Sequence, residues 1–405
     1  MQFNITNFKK NQYILLGEKP ADSFFIIREG KVRTTKDVMV VGEKDVILGS
    51  GDFFGVISTM SGRNHIETVQ ALTDVCLLSV HRSQYTALIQ KKVSIAIKII
   101  KLFSSQLRRL NETLATLTLN SDMESGPSHM FNVAEFYLKQ RQLALAVHSY
   151  TQYIKYCPDD VNINTAQKRL TELLTRTGMK VKTEYAEDEM NRQYPKNTML
   201  FSEGEPGDEL FVIQKGTVKV TKISDNKEVM LALLKPGNTV GEMALLDGKP
   251  RTASAFAYED CSVMVVNKKN FAQMIETQPQ LITKITTLLA ERIWFVFKKL
   301  KNVLIEDPIC RIYDSMHIQL EKNNIPMNEN TPYTFNFGHK ELFNITGLSE
   351  TEGMTAMHKI LSYKNIQLLD GKIQIISLRE LARQTDLHRK MYAMAKSMGQ
   401  KTRMT

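Results

Sequence analysis

The sequence FSEGEPGDELFVIQKG (residues 201–216) has the same pattern as an earlier stretch, LLGEKPADSFFIIREG (residues 15–30). In both, Gly-Glu is followed by a small residue and Asp, then by an alternating apolar strand and a turn glycine. Two later glycines keep a constant spacing of 186 residues: Gly55 and Gly62 in the first copy, Gly241 and Gly248 in the second. Short strands punctuated by Gly and Pro are typical of an all-β roll. The repeat therefore predicts two similar β-rolls.

A long helical pattern follows each roll. Apolar residues recur at alternating intervals of four and three from Ala96 to Leu117, and again from Leu289 to Val303. This spacing gives each helix an apolar seam suited to pairing with another helix. The two helices could pair within one chain, as an intrachain pseudo-dimer, or between the chains of a homodimer.

The segment between the rolls has its own pattern. The linker SDMESGPS (121–128) indicates a domain boundary, since it is rich in Gly, Pro and Ser. Residues 130–158 resemble a tetratricopeptide-type helical hairpin, and a further helix is predicted over about 162–176. Because a single repeat cannot form a solenoid groove, we interpret the hairpin mainly as a spacer, with a protein-docking surface as the alternative.

Residues 241–255, GEMALLDGKPRTASA, resemble the phosphate-binding cassette of cyclic nucleotide-binding domains, and the chain is similar to the catabolite activator protein (cyclic AMP receptor protein) family. The resemblance covers residues 185–376 well and 5–120 more loosely. It implies an α+β chain with two cyclic nucleotide-binding β-rolls (jelly rolls), the first degenerate. The predicted domains are a degenerate cyclic nucleotide-binding-like domain (1–120), a tetratricopeptide-like helical spacer (128–180), a cyclic nucleotide-binding domain with its dimerisation helix (185–305), a winged helix-turn-helix (306–376) and a basic C-terminal helix (377–405).

The chemistry of the second cassette suits a cyclic phosphate. Arg251 offers a planar fork of donors that matches phosphate oxygens. Glu242 is expected, as the family implies, to accept the ribose 2′-hydroxyl, and Thr252 to donate to phosphate or base. The candidate cyclic nucleotide-binding residues of the cassette are Gly241, Glu242, Met243, Ala244, Arg251, Thr252 and Ala253.

The identity of the base is left open by the sequence. At the positions where the family reads adenine with hydroxyls, this chain has Val296 and Phe297. Trp294, the only tryptophan, is a candidate for stacking on a purine, with packing in the core as the alternative. Cyclic AMP is the favoured effector, and cyclic GMP or a cyclic dinucleotide is the alternative.

The first roll lacks these groups. In its segment GVISTMSGRNHIETV (55–69), Val56 replaces the glutamate and His65 replaces the arginine. A valine cannot accept a hydroxyl hydrogen bond, and a neutral imidazole binds phosphate poorly. We expect this roll to be structural and free of ligand, with retuning for another ligand as the alternative.

Residues 308–376 resemble the DNA-binding winged helix of the same family: a helix (309–322), a strand (333–337), two helices around Gly347 and a hairpin at Asp370-Gly371. The second helix should enter the major groove, although its first turn carries Glu350 and Glu352 and no basic residue. The candidate DNA contacts are Ser349, Thr351, Thr355, His358, Lys359 and Lys364.

Composition narrows the function. Half of the formal charge of +10 lies after position 378, where the sequence has seven basic and two acidic residues. This excess of positive charge suits a surface that contacts phosphates or a solvated helix. Metal-ligand clusters, nucleophile elbows and P-loops are not evident, so neither an enzyme nor a metal site is expected. No apolar run approaches the roughly 18 residues that span a bilayer, so we expect a cytoplasmic protein.

The sequence leaves two functions open. The first is a cyclic nucleotide-responsive transcription regulator. The second is a cyclic nucleotide-binding signalling adaptor that acts through protein contacts without sequence-specific DNA binding.

Overall fold

The computed structural model describes residues 3–36, 46–119, 126–180, 189–224 and 227–402. Most of the predicted linker, and the predicted domain boundaries at 120 and 185, lie outside these residues. Helices and antiparallel sheets alternate along the chain in the order that the sequence predicts. Among the described residues, no helix is both long enough and apolar enough to cross a membrane.

The first roll consists of two four-stranded antiparallel sheets, ordered β1-β8-β3-β6 and β2-β7-β4-β5. Its elements are β1 (Asn4–Phe8), β2 (Tyr13–Leu15), β3 (Ser23–Glu29), β4 (Val32–Lys36), β5 (Val46–Leu48), β6 (Phe53–Phe54), α1 (Val56–Ser61), β7 (Glu67–Ala71), β8 (Val75–His81), α2 (Tyr85–Lys91) and the long α3 (Val93–Leu119).

The second roll repeats this arrangement, with sheets ordered β14-β11-β16-β9 and β10-β15-β12-β13. The repeat in the sequence therefore corresponds to a repeat in topology. Its elements are β9 (Asn191–Tyr194), β10 (Met199–Phe201), β11 (Glu209–Lys215), β12 (Val218–Ser224), β13 (Lys227–Leu234), β14 (Thr239–Val240), α7 (Glu242–Asp247), β15 (Ser254–Ala257), β16 (Cys261–Asn267), α8 (Lys268–Thr277) and the long α9 (Pro279–Val303).

The two long helices pair within the chain. Seam residues of α3, such as Phe103 and Leu107, share one buried cluster with Leu289, Ile293 and Leu300 of α9. The same cluster continues into apolar residues of both rolls. The two seams therefore bury each other inside one molecule, which is the intrachain pseudo-dimer of the two alternatives.

The segment between the rolls forms α4 (Pro127–Lys139), α5 (Leu143–Tyr156) and α6 (Ile163–Thr177). Helices α4 and α5 pack against each other as a hairpin and also against the second roll. Tyr137 and Tyr150 lie in one buried cluster with Ile223 and Phe256 of that roll. The hairpin therefore does more than separate the rolls, because it covers apolar surface of the second one.

The C-terminal part folds around its own core, to which Ile312, Phe335 and Ile373 contribute. The predicted strand 333–337 is shorter than expected, since it spans only Tyr333 and Thr334. The elements are α10 (Pro308–Lys322), β17 (Tyr333–Thr334), α11 (His339–Thr346), α12 (Glu350–Leu361), β18 (Ile366–Leu369), β19 (Lys372–Ile375) and α13 (Leu378–Thr402).

Candidate functional site

The cassette of the second roll is built on the turn into α7. Gly241 adopts φ 85°, a left-handed conformation that favours glycine, and precedes Glu242 at the start of the helix. Arg251 is fixed by the loop between β10 and β11: its N–H donates to Glu205 O, and Gly204 N–H donates to its carbonyl, both at 2.9 Å. A side chain on Gly207 would lie 2.2 Å from Arg251 Nε. The loop therefore makes room for the guanidinium.

The guanidinium of Arg251 is buried without an ion pair to a carboxylate among the described residues. Arg251 is only 6% exposed. One N–H donates to Gly241 O at 2.5 Å, and the group lies 4.3 Å from the centre of the Phe201 ring. Its Nε has no hydrogen-bond partner in the described part of the chain. Since buried cations are normally paired, this group is suited to receive an anion.

The environment of Arg251 acts on its pKa in two directions. Burial is the larger influence and lowers the pKa, because the charged form loses its hydration. Nearby carboxylates, Glu205 first and then Glu209, raise it. A bound phosphate would add to the second influence and stabilise the charged guanidinium.

Glu242 offers an acceptor beside this cation. Its side chain is almost fully buried, and one oxygen accepts a hydrogen bond from Arg292 of α9. The other oxygen, Oε2, has no partner among the described residues. Arg292, which our sequence analysis missed, therefore orients the carboxylate and leaves one oxygen for a hydroxyl donor.

The remaining cassette residues are largely buried. Met243, Ala244 and Ala253 are buried, and Thr252 is half-buried. Met243 lies in the apolar cluster that contains the two long helices. The seven predicted cassette residues thus lie on the turn into α7, on its first residues and on the loop that precedes β15.

The helix of the first repeat, α3, covers the second roll. An N–H of Arg108 donates to Pro250 O at 3.0 Å, next to Arg251. One turn earlier on the same face, the hydroxyl of Ser104 is fully buried, and it lacks a hydrogen-bond partner among the residues that are described. The contact of Arg108 was not evident from the sequence, because only the packing of α3 against the second roll brings it next to Arg251.

Of the two alternatives for Trp294, its surroundings favour packing in the core. The indole is 2% exposed, and its Nε1 donates to Asn64 O of the first roll at 3.1 Å. Arg63 of the same roll lies over the ring, 5.4 Å from its centre. Because α9 turns this face toward the opposite roll, Trp294 packs at the contact between α9 and the first roll and does not line the second cassette.

The first roll fills the equivalent position with its own side chains. The carboxylate of Glu67 accepts from Gly55 N–H at 2.8 Å, where Gly55 is the equivalent of Gly241. Val56 is buried, and burial lowers the pKa of His65, which favours its neutral form. A carboxylate and a neutral imidazole therefore stand where the second roll presents Ala253 and a guanidinium.

The candidate DNA contacts lie on α12 and just after it. Thr351, Thr355, His358, Lys359 and Lys364 are exposed. Ser349 instead caps α12, since its hydroxyl accepts from Glu352 N–H and donates to the Glu352 carboxylate. The hairpin turn at Asp370-Gly371 has positive φ at both residues, as this dipeptide predicts.

The basic C-terminal helix, α13, is packed on α10. Arg389 forms an ion pair with Asp314 of α10, and Arg383 pairs with Glu380 one turn away. The side chains beyond position 395 lie outside the described residues. Two of the cations proposed for phosphate contacts are therefore already bound to carboxylates.

Comparisons with known proteins agree with this geometry. The model of the cyclic nucleotide-binding domain matches residues 5–92 and 191–278, one match for each roll. The cAMP-activated global transcriptional regulator CRP of Salmonella typhimurium is 27% identical over 186 residues, which cover 45% of this chain and 88% of that protein. The cyclic AMP receptor protein of Thermus thermophilus is 26% identical over 185 residues, or 45% of this chain and 82% of that protein.

The chain is thus a protein with two cyclic nucleotide-binding domains. Both relatives come from the catabolite activator (cyclic AMP receptor) family of transcription regulators, to which the chain is similar. Among solved structures, the catabolite activator protein of Thermus thermophilus is similar at 26% identity, covering 48% of this chain and 90% of that one, with a TM-score of 0.29. Clusters of three or more metal-ligating side chains are not found among the described residues.

Proposed function

We propose that the chain is a cytoplasmic, cyclic nucleotide-responsive transcription regulator that binds one cyclic nucleotide in its second roll and DNA through a winged helix-turn-helix at 306–376. One observation carries the ligand assignment. Two buried polar atoms of one cassette, Arg251 Nε and Glu242 Oε2, have no partner among the described residues. A cyclic nucleotide supplies both missing partners, an anionic phosphate and a ribose hydroxyl.

The residues around the phosphate position support this assignment. Arg251 would clasp the phosphate with its fork of donors, and Glu242, oriented by Arg292, would accept the ribose 2′-hydroxyl. The buried alanines, 244 and 253, would admit the ligand against the backbone. Thr252 would donate to the phosphate or the base.

The base would lie against α3, the helix of the first repeat. Ser104 presents a buried hydroxyl without a partner among the described residues, and Arg108 anchors this part of α3 to Pro250. A hydroxyl can both donate and accept, which suits the edge of adenine. Cyclic AMP is therefore the favoured effector, and cyclic GMP and cyclic dinucleotides are the alternatives.

Such a site would connect ligand binding to the seam. Glu242 contacts α9 through Arg292, and the position proposed for the base contacts α3, so the ligand would touch both helices of the pair. A ligand shifts a conformational equilibrium only by its preference for one state. We propose that the nucleotide favours one arrangement of the helix pair and thereby one position of the winged helix, which follows α9.

A signalling adaptor is the second candidate. The exposed first turn of α12 carries Glu350 and Glu352 and no basic residue, and Leu368 and Leu369 are exposed on the hairpin beside it. Acidic and apolar side chains fit a protein surface better than a phosphate backbone. In that case the nucleotide would control a protein contact, and the chain would not bind DNA sequence-specifically.

Two experiments test the proposal. Calorimetry with cyclic AMP, cyclic GMP and a cyclic dinucleotide should give saturable binding of one of them to the full chain, and mass spectrometry of co-purifying small molecules should identify the same compound. Gel shifts with genomic fragments, with and without that nucleotide, should show complexes that weaken over roughly 50–200 mM salt. Nucleotide binding without any DNA complex would favour the adaptor, and no nucleotide binding would refute the sensor.

A further inference from the structure

The helical hairpin contacts the loop that holds Arg251 of the candidate phosphate site. This loop, residues 202–208, joins β10 to β11. Side chains of α4 and α5 contact three of its first four residues by polar groups. The three contacts are His129 Nε2 to Glu203 Oε1 at 3.0 Å, Ser149 Oγ to Ser202 Oγ at 3.1 Å and His148 Nε2 to Glu205 Oε2 at 3.2 Å.

The backbone of the same loop holds Arg251. Glu205 accepts from the backbone of Arg251, and Gly204 donates to it. A side chain on Gly204 would lie 2.5 Å from Met130 of α4, so the hairpin and the loop are in close contact there. The loop therefore contacts the hairpin on the one hand and the backbone of Arg251 on the other, so a shift of the hairpin would move Arg251.

The contact with His148 also concerns charge. The carboxylate of Glu205 is the largest of the nearby negative influences on Arg251, and an unpaired carboxylate there would oppose a phosphate. His148 binds Glu205 from the hairpin, just as Arg192 binds the neighbouring Glu209 with two hydrogen bonds of 2.8 and 2.6 Å. Each carboxylate is thus held by its own partner, and Arg251 remains available.

We propose that the helical hairpin is a control element of the nucleotide site, and that His148 is a positioning residue that holds Glu205 and, through the loop backbone, Arg251. The inference rests on the proposed function, because the site it controls is the nucleotide site of the second roll. Energetic coupling between two sites is reciprocal. Nucleotide binding therefore stabilises the hairpin, and a change in the hairpin alters nucleotide affinity.

The test compares the full chain with three variants. His148→Ala removes the contact, His148→Gln keeps an N–H that can donate to Glu205, and Arg169→Ala is the control. Arg169 lies on α6, where its guanidinium forms long ion-pair contacts of 3.8 and 3.9 Å with Glu135 and Glu172. The first measurement is backbone hydrogen exchange of residues 202–208 and 251 without nucleotide. The second is the affinity for cyclic AMP by calorimetry.

We expect faster exchange of the loop in His148→Ala, and an affinity weakened by about fivefold or more, the lower end of coupling between sites. His148→Gln should restore most of both, and Arg169→Ala should match the wild type. In the wild type, cyclic AMP should slow exchange in α4 and α5, and this effect should be lost in His148→Ala.

Unchanged loop exchange in His148→Ala would overturn the inference, whether or not nucleotide binds. Unchanged affinity, together with equal protection of α4 and α5, would overturn it as well. If cyclic AMP, cyclic GMP and a cyclic dinucleotide all failed to bind the wild type saturably, the proposed function would be removed instead, and the exchange measurement would still decide whether His148 holds the loop.

Discussion

Replacing Arg251 by alanine should greatly weaken nucleotide binding but change the stability of the unliganded protein little. The variant loses charge-assisted hydrogen bonds to the phosphate, which are worth roughly 1.5–3 kcal/mol. Since each 1.4 kcal/mol is tenfold, the affinity for the nucleotide should fall by about tenfold to 150-fold. The assay is calorimetric titration of the full chain at constant salt.

The stability of the unliganded protein should change much less. The variant loses the hydrogen bond to Gly241 and the contact with the Phe201 ring, and both losses lower its free energy of unfolding. The guanidinium, however, is desolvated without an ion pair to a carboxylate among the described residues, and removing a buried cation recovers that cost. We therefore expect the free energy of unfolding to change by less than about 1 kcal/mol, as measured by urea unfolding.

Two matched variants sharpen the result. Arg251→Lys keeps the charge and loses the planar fork, so its affinity should lie between those of the wild type and the alanine variant. His65→Ala changes the equivalent position of the first roll and should leave the affinity unchanged. Wild-type affinity in Arg251→Ala would refute the assignment, and a stability loss of several kcal/mol would indicate a structural role for the side chain.

Three further predictions concern other parts of the chain. Trp294→Phe should leave the nucleotide affinity unchanged in calorimetry, because the indole contacts the first roll. A large loss of affinity would show that Trp294 contacts the ligand. Gly353→Ala should destabilise the C-terminal part by about 1–3 kcal/mol in thermal unfolding, since the added carbon would lie 2.6 Å from the Phe343 ring; wild-type stability would contradict this packing. Burial lowers the pKa of His317 to about 4, so the unfolded chain binds the proton first and stability falls as pH drops from 6.5 toward 4. His317→Gln should remove about 2 kcal/mol of that loss of stability at pH 4.5. The measurement is urea unfolding followed by Trp294 fluorescence. An unchanged pH dependence of stability in the variant would contradict this role of His317.

Much of the candidate site could be predicted because its residues are contiguous. Glu242 and Arg251 lie within one short segment, the helix α7 and the loop that follows it, so their proximity follows from local structure. The two rolls could be predicted for a similar reason, since the constant spacing of glycines repeats the turns. The pairing of Glu67 with Gly55 was also within reach, because the same spacing aligns Glu67 with Ala253.

The rest depends on contacts between distant segments. The spacing of apolar residues along α9 predicts a seam, but it does not say which roll each face meets, and the two alternatives for Trp294 stayed open for this reason. Arg108 and His148 reach the second roll only because α3 crosses to it and because α4 and α5 pack on it. Such contacts depend on how helices and rolls assemble, which local pattern does not encode.

The most direct measurement is the number of cyclic nucleotides bound by each full-length chain at saturation. In this account, the second roll binds the nucleotide at Arg251, and Glu67 and His65 close the equivalent position of the first roll. The titration should therefore end at one ligand per chain. Arg251→Ala should abolish or greatly weaken the binding of that ligand. Two ligands per chain, or one that persists undiminished in Arg251→Ala, would contradict this account.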